Sequence, residues 1–353
     1  METNKTINGK ISIVITNMNG EKWIKNLILS IFNSDYSINE LEIILVDNNS
    51  TDNSLLAFKE LMRENKDFYI ENKENLGWSK AVNQGFSKAS GEIIIVLSND
   101  MEIDNQAIKK IVEAMFFNRK IGIIQFNSLS LTDRKTLDSG MNFLDKFGYS
   151  YSYFPSKTIK QVFFAEGMAF AVQKEVIENV GFLDDSYFME YDDMDYCWRT
   201  LACGYDVAFL PNATVFHARG GTVGSNYFNR NLRNIKDYTK NHLTTIIKNY
   251  ELKTLLIILP SVLVIEFIKI LYMVYKKKFK IAIANFKGIV ETFIILKGTF
   301  EKRKYIQTHR KRKDKDIFKL MHPFQISKQL GFMRSQALNK RYFIRGEENE
   351  QNI

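Results

Sequence analysis

A chain of 353 residues with 45% hydrophobic side chains has the material for a large first domain plus an appendage, which excludes an intrinsically disordered polypeptide. Its formal charge of +9 is unevenly placed: 22 Lys and Arg face 9 Asp and Glu after residue 250, and 27 face 31 before it, so the basic excess belongs to the tail. Cys197 and Cys203 match no metal-ligand spacing and build no disulfide framework, and METNKTINGK has no apolar h-region, which together predict a cytoplasmic protein without a signal peptide.

In chain order, "ISIVIT" (11–16) predicts a buried strand, and Trp23, Ile24, Leu27, Ile28 and Ile31 recur at helical spacing over 21–32. "EIILVD" (42–47) predicts a second strand, 50–61 a capped helix, "FYI" a brief third strand and 77–90 another helix. "EIIIVLSND" (92–100) predicts a fourth strand, followed by a helix over 105–117 and a strand over 121–126. This alternation implies an α/β fold, a mostly parallel sheet with helices on both faces. Such sheets bind ligands beyond the carboxyl ends of their strands, where Asn17, Asp47 and Asp100 stand. After residue 127 the pattern weakens. Residues 161–172 predict one long strand or a pair, 206–217 two short strands, and between them "YFMEYDDMDYCWR" (187–199) opens a helix that stops at Gly204.

The tail differs in character. "LLIILPSVLVIEFIKILYMVY" (255–275) approaches the length of a membrane span, Lys276–Lys278 follow, 279–296 is amphipathic and 302–315 is strongly basic. A single crossing would place the basic region on the far side, against the positive-inside tendency. An interfacial helix pair or a re-entrant hairpin keeps it at the cytoplasmic face of the cell membrane against anionic lipid. The plainer reading is a soluble helical subdomain. Nucleic acid is not an expected partner, because the lysines alternate with apolar runs.

Four carboxylates, Glu190, Asp192, Asp193 and Asp195, crowd into six positions among aromatic residues. Helix capping accounts for acids at a helix start. A general base beside a metal–diphosphate site accounts for their crowding, since like charges raise one another's pKa. Asp47 suits the imide N–H of uracil or thymine, or caps the next helix. Asn75 and Gly77 stand at a strand-to-helix turn where glycine lets a phosphate approach backbone N–H groups, and Lys80 lies one turn in. Asp100 with diphosphate oxygens suits Mg2+ or Mn2+, with His217 as a second ligand or as an ordinary structural histidine.

The blocks "ISIVITNMNG", "EIILVDNNSTDNS", "ENLGWSKAVNQGFSKASGEIIIVLSND" and "GFLDDSYFMEYDDMDYCWRTLACGYDVAFLPNATVFH" stand in the order found in family 2 glycosyltransferases. From residue 11 to about 225 the chain resembles the rhamnosyltransferase-like branch of that family. The resemblance implies a GT-A fold over 1–235 and a helical, basic, membrane-associating region over 236–353. It implies that Thr16, Asn17, Asn19 and Asp47 surround the nucleotide, and that Asn75, Gly77, Lys80, Ser98 and Asn99 border the nucleotide-sugar pocket. It places Asp100 at the last acid of a D-x-D metal motif, His217 at a late metal-site histidine and Asp193 at the general base, with Asp192 and Asp195 supporting acceptor hydroxyls. Ser98 departs from the pattern by occupying the motif's first acid position. The implied activity is inverting transfer from an NDP-sugar, dTDP-rhamnose or a UDP-hexose, to a lipid-linked or polysaccharide acceptor, with a divalent metal. A nucleotidyltransferase would carry a glycine-rich basic signature where "TNMNGEKW" stands, and a non-catalytic sugar-nucleotide-binding scaffold is favoured by Ser98 alone.

Overall fold

In the computed structural model, β-branched runs form the centre of one ten-stranded sheet and the amphipathic segments cover it. The structure describes residues 9–219, 231–324 and Phe343; the expectations placed on residues 1–8, on the family-like region beyond 219 and on most of the chain after 324 lie outside these. The strands are β1 (Ile11–Asn17), β2 (Leu41–Asp47), β3 (Phe68–Glu71), β4 (Ile93–Ser98), β5 (Met101–Ile103), β6 (Ile121–Ser130), β7 (Leu137–Ser139), β8 (Met141–Leu144), β9 (Ser150–Tyr153), β10 (Lys160–Gln161), β11 (Ala169–Gln173) and β12 (Asp206–His217). The helices of the first part are α1 (Ile24–Phe32), α2 (Ser54–Leu61), α3 (Trp78–Lys88), α4 (Ala107–Phe117), α5 (Lys174–Val180) and α6 (Asp192–Ala202).

The sheet runs β10-β12-β6-β11-β4-β1-β2-β3, with β5 added to β12 and β7 to β6; β8 and β9 form a separate hairpin. It is mixed. The β3-β2-β1-β4 half is parallel, whereas β11 enters antiparallel between β4 and β6. Alternation along β1 divides the core: Ile11, Ile13 and Ile15 face α1, α2 and α4, and Val14 faces α3, α6 and the helices beyond. Two sequence expectations change in detail. Segment 92–100 ends as a strand at Ser98, and a turn at Asn99 and Asp100 sends β5 across to pair with β12. Segment 206–217 is one strand whose register shifts between Leu210 and Thr214, which the two-strand reading took for a break.

The tail is helical: α7 (Leu232–Asn249), α8 (Leu252–Tyr275), α9 (Phe279–Ile294), α10 (Leu296–His309) and the short α11 (Asp314–Ile317). Helix α7 is buried along almost its whole length, including Lys240, Asn241, His242, Lys248 and Asn249. Helix α8 buries only Leu255, Val262, Glu266 and Met273. Among the described residues it is the one helix long and apolar enough to cross a membrane, with a mean hydropathy of 2.3. Leu256, Ile257, Phe267, Ile268 and Leu271 on α8 are exposed, as are Phe286 and Phe293 on α9, and lysines 276–278, 280, 287 and 297 of the same segment are exposed too. A soluble subdomain burying both faces, one of the sequence readings, would have covered these side chains.

Candidate active site

The carboxyl ends of β1 and β2 carry a polar knot. Asn17, 1% exposed, donates to Asp47 Oδ1 at 2.6 Å and to Ser54 Oγ at 2.8 Å, while Asn99 donates to Asn17 Oδ1 at 2.8 Å. Asp47 also accepts from the Ser50 hydroxyl at 2.6 Å and the Ser50 N–H at 2.9 Å, so it orders the loop before α2. Asn19, in the left-handed region at φ 52°, accepts from the Thr51 N–H and donates its own N–H to Ser50 Oγ. Thr16 and Ser98 lie side by side in register, both half-buried. A Cβ at Gly20 would lie 2.4 Å from both Asn17 Oδ1 and Asn99 Nδ2, so only glycine lets these amides meet. Sequence reasoning found Asn17, Asn19, Asp47 and Asn99 but not Ser54, whose part depends on a fold contact thirty-seven residues away.

At the start of α3 the structure corrects an expectation. Gly77 has φ 87°, and a Cβ there would meet Phe188 O at 2.6 Å. The close approach seen at Gly77 is to the Phe188 backbone and ring. The Gly77 N–H donates to Asn75 Oδ1 and the Trp78 N–H to Phe188 O, so both groups expected to face an anion are taken. Asn75 and Lys80 remain exposed at this end.

Asp100 and His217 are brought together by the β5–β12 pairing, with His217 Nε2 3.2 Å from Asp100 Oδ2. On the other side of the ring, Nδ1 lies 2.9 Å from Asp138 Oδ2 of β7, and Asp138 also accepts from Ser128 Oγ and the Arg219 guanidinium. Burial alone would lower the His217 pKa; bonds to Asp100 and Asp138 outweigh it and raise it to about 9. The ring therefore holds a proton between two carboxylates where a cation would be held. A histidine oriented by a carboxylate on its far nitrogen is the donor set a divalent metal takes. Among the described residues no three His, Cys, Asp or Glu side chains converge as a closed site, so Asp100 and His217 would share such an ion with diphosphate oxygens and water. Asp138 was not foreseen; it sits in an irregular stretch without periodicity.

The acid cluster divides between two faces of α6. Asp193 Oδ2 accepts from the Gly167 N–H at 2.9 Å and Oδ1 from the Met194 N–H at 2.7 Å. Burial, with the nearby charges of Glu166 and Glu190, pushes its carboxyl up to about 7 against these two donors. Asp192, beside Ser79 Oγ at 3.4 Å, is raised by burial and then by Asp193. Asp195, which the resemblance placed beside acceptor hydroxyls, is instead engaged by the protein's own side chains. It is fully buried, accepting from Arg199 Nε at 2.9 Å and Asn249 Nδ2 at 2.8 Å, with Lys248 Nζ 3.0 Å away. The Arg199 pairing is the helix ion pair that the four-residue spacing predicts. Lys248 also reaches Asp184 at 2.5 Å; burial would raise Asp184, yet Lys248 and Lys302 hold it far below the usual carboxylate range.

Gly167 and Met168 draw these parts to one edge. Gly167 holds Asp193 and lies against the Trp78 ring, and Met168 O accepts from the Ser98 N–H, one residue before the turn that carries Asp100. The profile described as Glycosyl transferase family 2 matches residues 12–181, the span that holds β1 to α5. Residues 12–181 form a family 2 glycosyltransferase domain. The probable glycosyltransferase YdaM of Bacillus subtilis is 27% identical over 216 residues, covering 58% of this chain and 49% of that protein. The low-salt glycan biosynthesis hexosyltransferase Agl10 of Haloferax volcanii is 26% identical, covering 55% and 62%. The chain thus spans about half the length of the curated relatives it matches. The fold is shared with GalNAc-T7, solved with UDP, GalNAc and Mn2+ (TM-score 0.58, 17% identity, 69% of this chain and 48% of that one). It is also shared with Staphylococcus aureus TarS 1-349 in complex with UDP (TM-score 0.51, 14% identity, 72% and 70%).

Proposed function

We propose that this family 2 domain is an inverting glycosyltransferase that moves a sugar from an NDP-sugar, dTDP-rhamnose or a UDP-hexose, to a lipid-linked or polysaccharide acceptor. One observation carries the reading: a carboxyl raised to about 7, Asp193, is bonded to Gly167 beside the strand-end edge that holds Asp47, Asp100 and His217. Asp47, ordered by Asn17 and Ser50, accepts the imide N–H of the base, and Thr16, Asn19, Asn75 and Lys80 border the nucleotide sugar. Asp193 takes the proton of the acceptor hydroxyl as its oxygen attacks the anomeric carbon and the diphosphate leaves with the bonding pair. Asp192, uncharged while its neighbour is ionised, keeps the pair from carrying two adjacent negative charges. Asp100 and His217 would hold a divalent ion, Mg2+ or Mn2+, which when bound neutralises charge on the departing diphosphate.

The division into a catalytic part, 1–235, and a membrane-associating part, 236–353, belongs to the same reading. The exposed apolar side chains of α8 and α9, with exposed lysines in the same segment, support docking on the anionic cytoplasmic face of the cell membrane. A thermal-shift panel of UDP-, dTDP- and GDP-sugars with and without Mn2+ tests the donor side, since a ligand of the folded state raises the melting temperature with concentration. Turnover of the stabilising donor completes the test. A shift with no donor, or a donor that binds and is never consumed in the presence of acceptor lipid, sinks the proposal.

A further inference from the structure

The turn that presents Asp193 is held from outside the family-matched span. Glu190 and Tyr191, just before α6, both lie in the left-handed region, at φ 73° and 64°. Neither is a glycine, and two successive left-handed residues are strained unless their surroundings impose them. Helix α7 imposes them. Asn241 Nδ2 donates to Met189 O at 2.9 Å and to Glu190 O at 2.8 Å, spanning the first strained residue. Its own Oδ1 is buried without a hydrogen-bond partner. An amide that spends both donors on successive carbonyls and leaves its acceptor unmatched is poorly explained by stability alone.

The neighbours on α7 continue the grip. The Tyr187 hydroxyl lies 2.7 Å from Thr244 Oγ1 and 3.0 Å from Thr245 Oγ1. The Tyr191 ring stacks on His242 with centroids 5.1 Å apart, and its hydroxyl donates to Gly148 O. The same turn seats Phe188 O on the Trp78 N–H, so its shape also fixes the start of α3.

We infer that Asn241 is the positioning residue for Asp193: it holds the Met189–Tyr191 turn in its left-handed form, and so sets where the carboxylate meets the acceptor hydroxyl. This rests on the proposal that Asp193 is the base. Asn241 touches neither donor nor acceptor in this account; it acts through two carbonyls and the helix that follows them.

The test compares wild type with Asn241→Ala and Asn241→Ser in full-length protein. Misplacing a reacting group by about 1 Å costs roughly a hundredfold in rate, so kcat is expected to fall by that order while the donor KM stays within about twofold. In the Asn241→Ala background, Glu190→Gly is expected to return part of the lost kcat, because glycine takes a positive φ without strain. Hydrogen–deuterium exchange reads the brace without reference to activity: amides of 187–194 are expected to exchange faster in both variants, and those of β1, β2 and β4 as in wild type. Should neither variant fold, exchange in wild-type protein decides, and free exchange of the 187–194 amides overturns the inference. A kcat within about threefold of wild type, a parallel rise in donor KM, or unchanged exchange at 187–194 also overturns it. Faster exchange in a protein that transfers no sugar, even as wild type, leaves the brace standing and sinks the assigned function instead.

Discussion

A carboxyl whose ordinary value is 3.8 sits at about 7 in Asp193 because the fold buries it near Glu166 and Glu190 while offering two N–H donors. A base must be ionised to work, so kcat is expected to rise through an acid limb near pH 7 and to level off above it. Asp193→Asn should remove that limb with the activity, lowering turnover by at least about 10²-fold, while calorimetry finds donor binding unchanged; turnover near the wild-type level would remove the assignment. The sign of the linked stability follows from the same shift. Folded Asp193 retains its proton between 3.8 and about 7 where the unfolded chain has lost it, so its ionisation destabilises the fold progressively as pH rises through that window. The Asn variant should therefore gain melting temperature relative to wild type at pH 8, with the gap shrinking toward pH 5. Asp138 is a different kind of residue. It faces His217 Nδ1, away from Asp100, so Asp138→Asn is expected to weaken Mn2+-dependent donor binding about 10–100-fold, as loss of an orienting partner does. Titration of donor with and without Mn2+ checks this, and equal Mn2+ dependence in wild type and variant would end the metal assignment. Asp100, Asp193 and His217 were legible because each stands at a strand end or helix start. Asp138 was not, because nothing local marks it and only the β6–β7 pairing brings it to the histidine.

Helix α6 shows why Asp195, which the resemblance grouped with Asp193, stands apart from it. Two residues along a helix turn a side chain to nearly the opposite face, so Asp193 faces Gly167 while Asp195 faces α7. The buried group of Asp184, Asp195, Arg199, Lys248 and Asn249 joins the acid helix to the first helix of the tail. Lys248, 2% exposed at its side chain, stands between two of these carboxylates. Lys248→Met is expected to cost about 3–5 kcal/mol, since it leaves buried charge without its partner; urea unfolding measures it, and a loss below about 1 kcal/mol would show that Arg199 and Lys302 suffice. The regular elements were readable from periodicity: β1, β2, β4 and the helices α1, α3 and α4 lie within a few residues of their expected places. What periodicity does not carry is where a chain bends within a run. The turn at Asn99 and the left-handed pair before α6 arise from contacts distant in sequence, with β12 in one case and α7 in the other.

At the scale of the molecule, the charge division seen in the sequence becomes a division of surface. The sheet and its helices bury most of their apolar residues, while α8 and α9 leave many exposed, with exposed lysines in the same segment. Replacing Leu256, Ile257, Phe267, Ile268 and Leu271 together by Ser should abolish flotation with anionic liposomes and leave nucleotide-sugar binding intact, because these side chains are exposed. Each lysine near the surface adds about 1 kcal/mol, so the wild-type protein is expected to float less well as salt rises. Flotation that survives high salt and alkaline washing would show deep insertion instead, and a wild-type protein that never floats would remove the membrane from the proposed function. Cutting the chain after residue 250 is the poorer test. It strips α9 and α10 from α7, where Gly288 packs on Lys236 O and Arg303 donates to Ile247 O.

Helix α7 also has a consequence in time. Asn241 follows the two carbonyls it grips by 52 and 51 residues. A ribosome releases the sheet, the acid helix and β12 before it releases the brace, and domains begin to fold as they emerge. On the proposed assignment, a nascent chain forms the donor side before Asp193 is set, and the delay lasts for as long as translation takes to cross those residues. On the same assignment, Asp193 is set by the stretch of translation that leads into the apolar helices. If Asn241 sets Asp193 as proposed, the order of residues along the chain would keep sugar transfer from unfinished polypeptide with no inhibitor and no second protein.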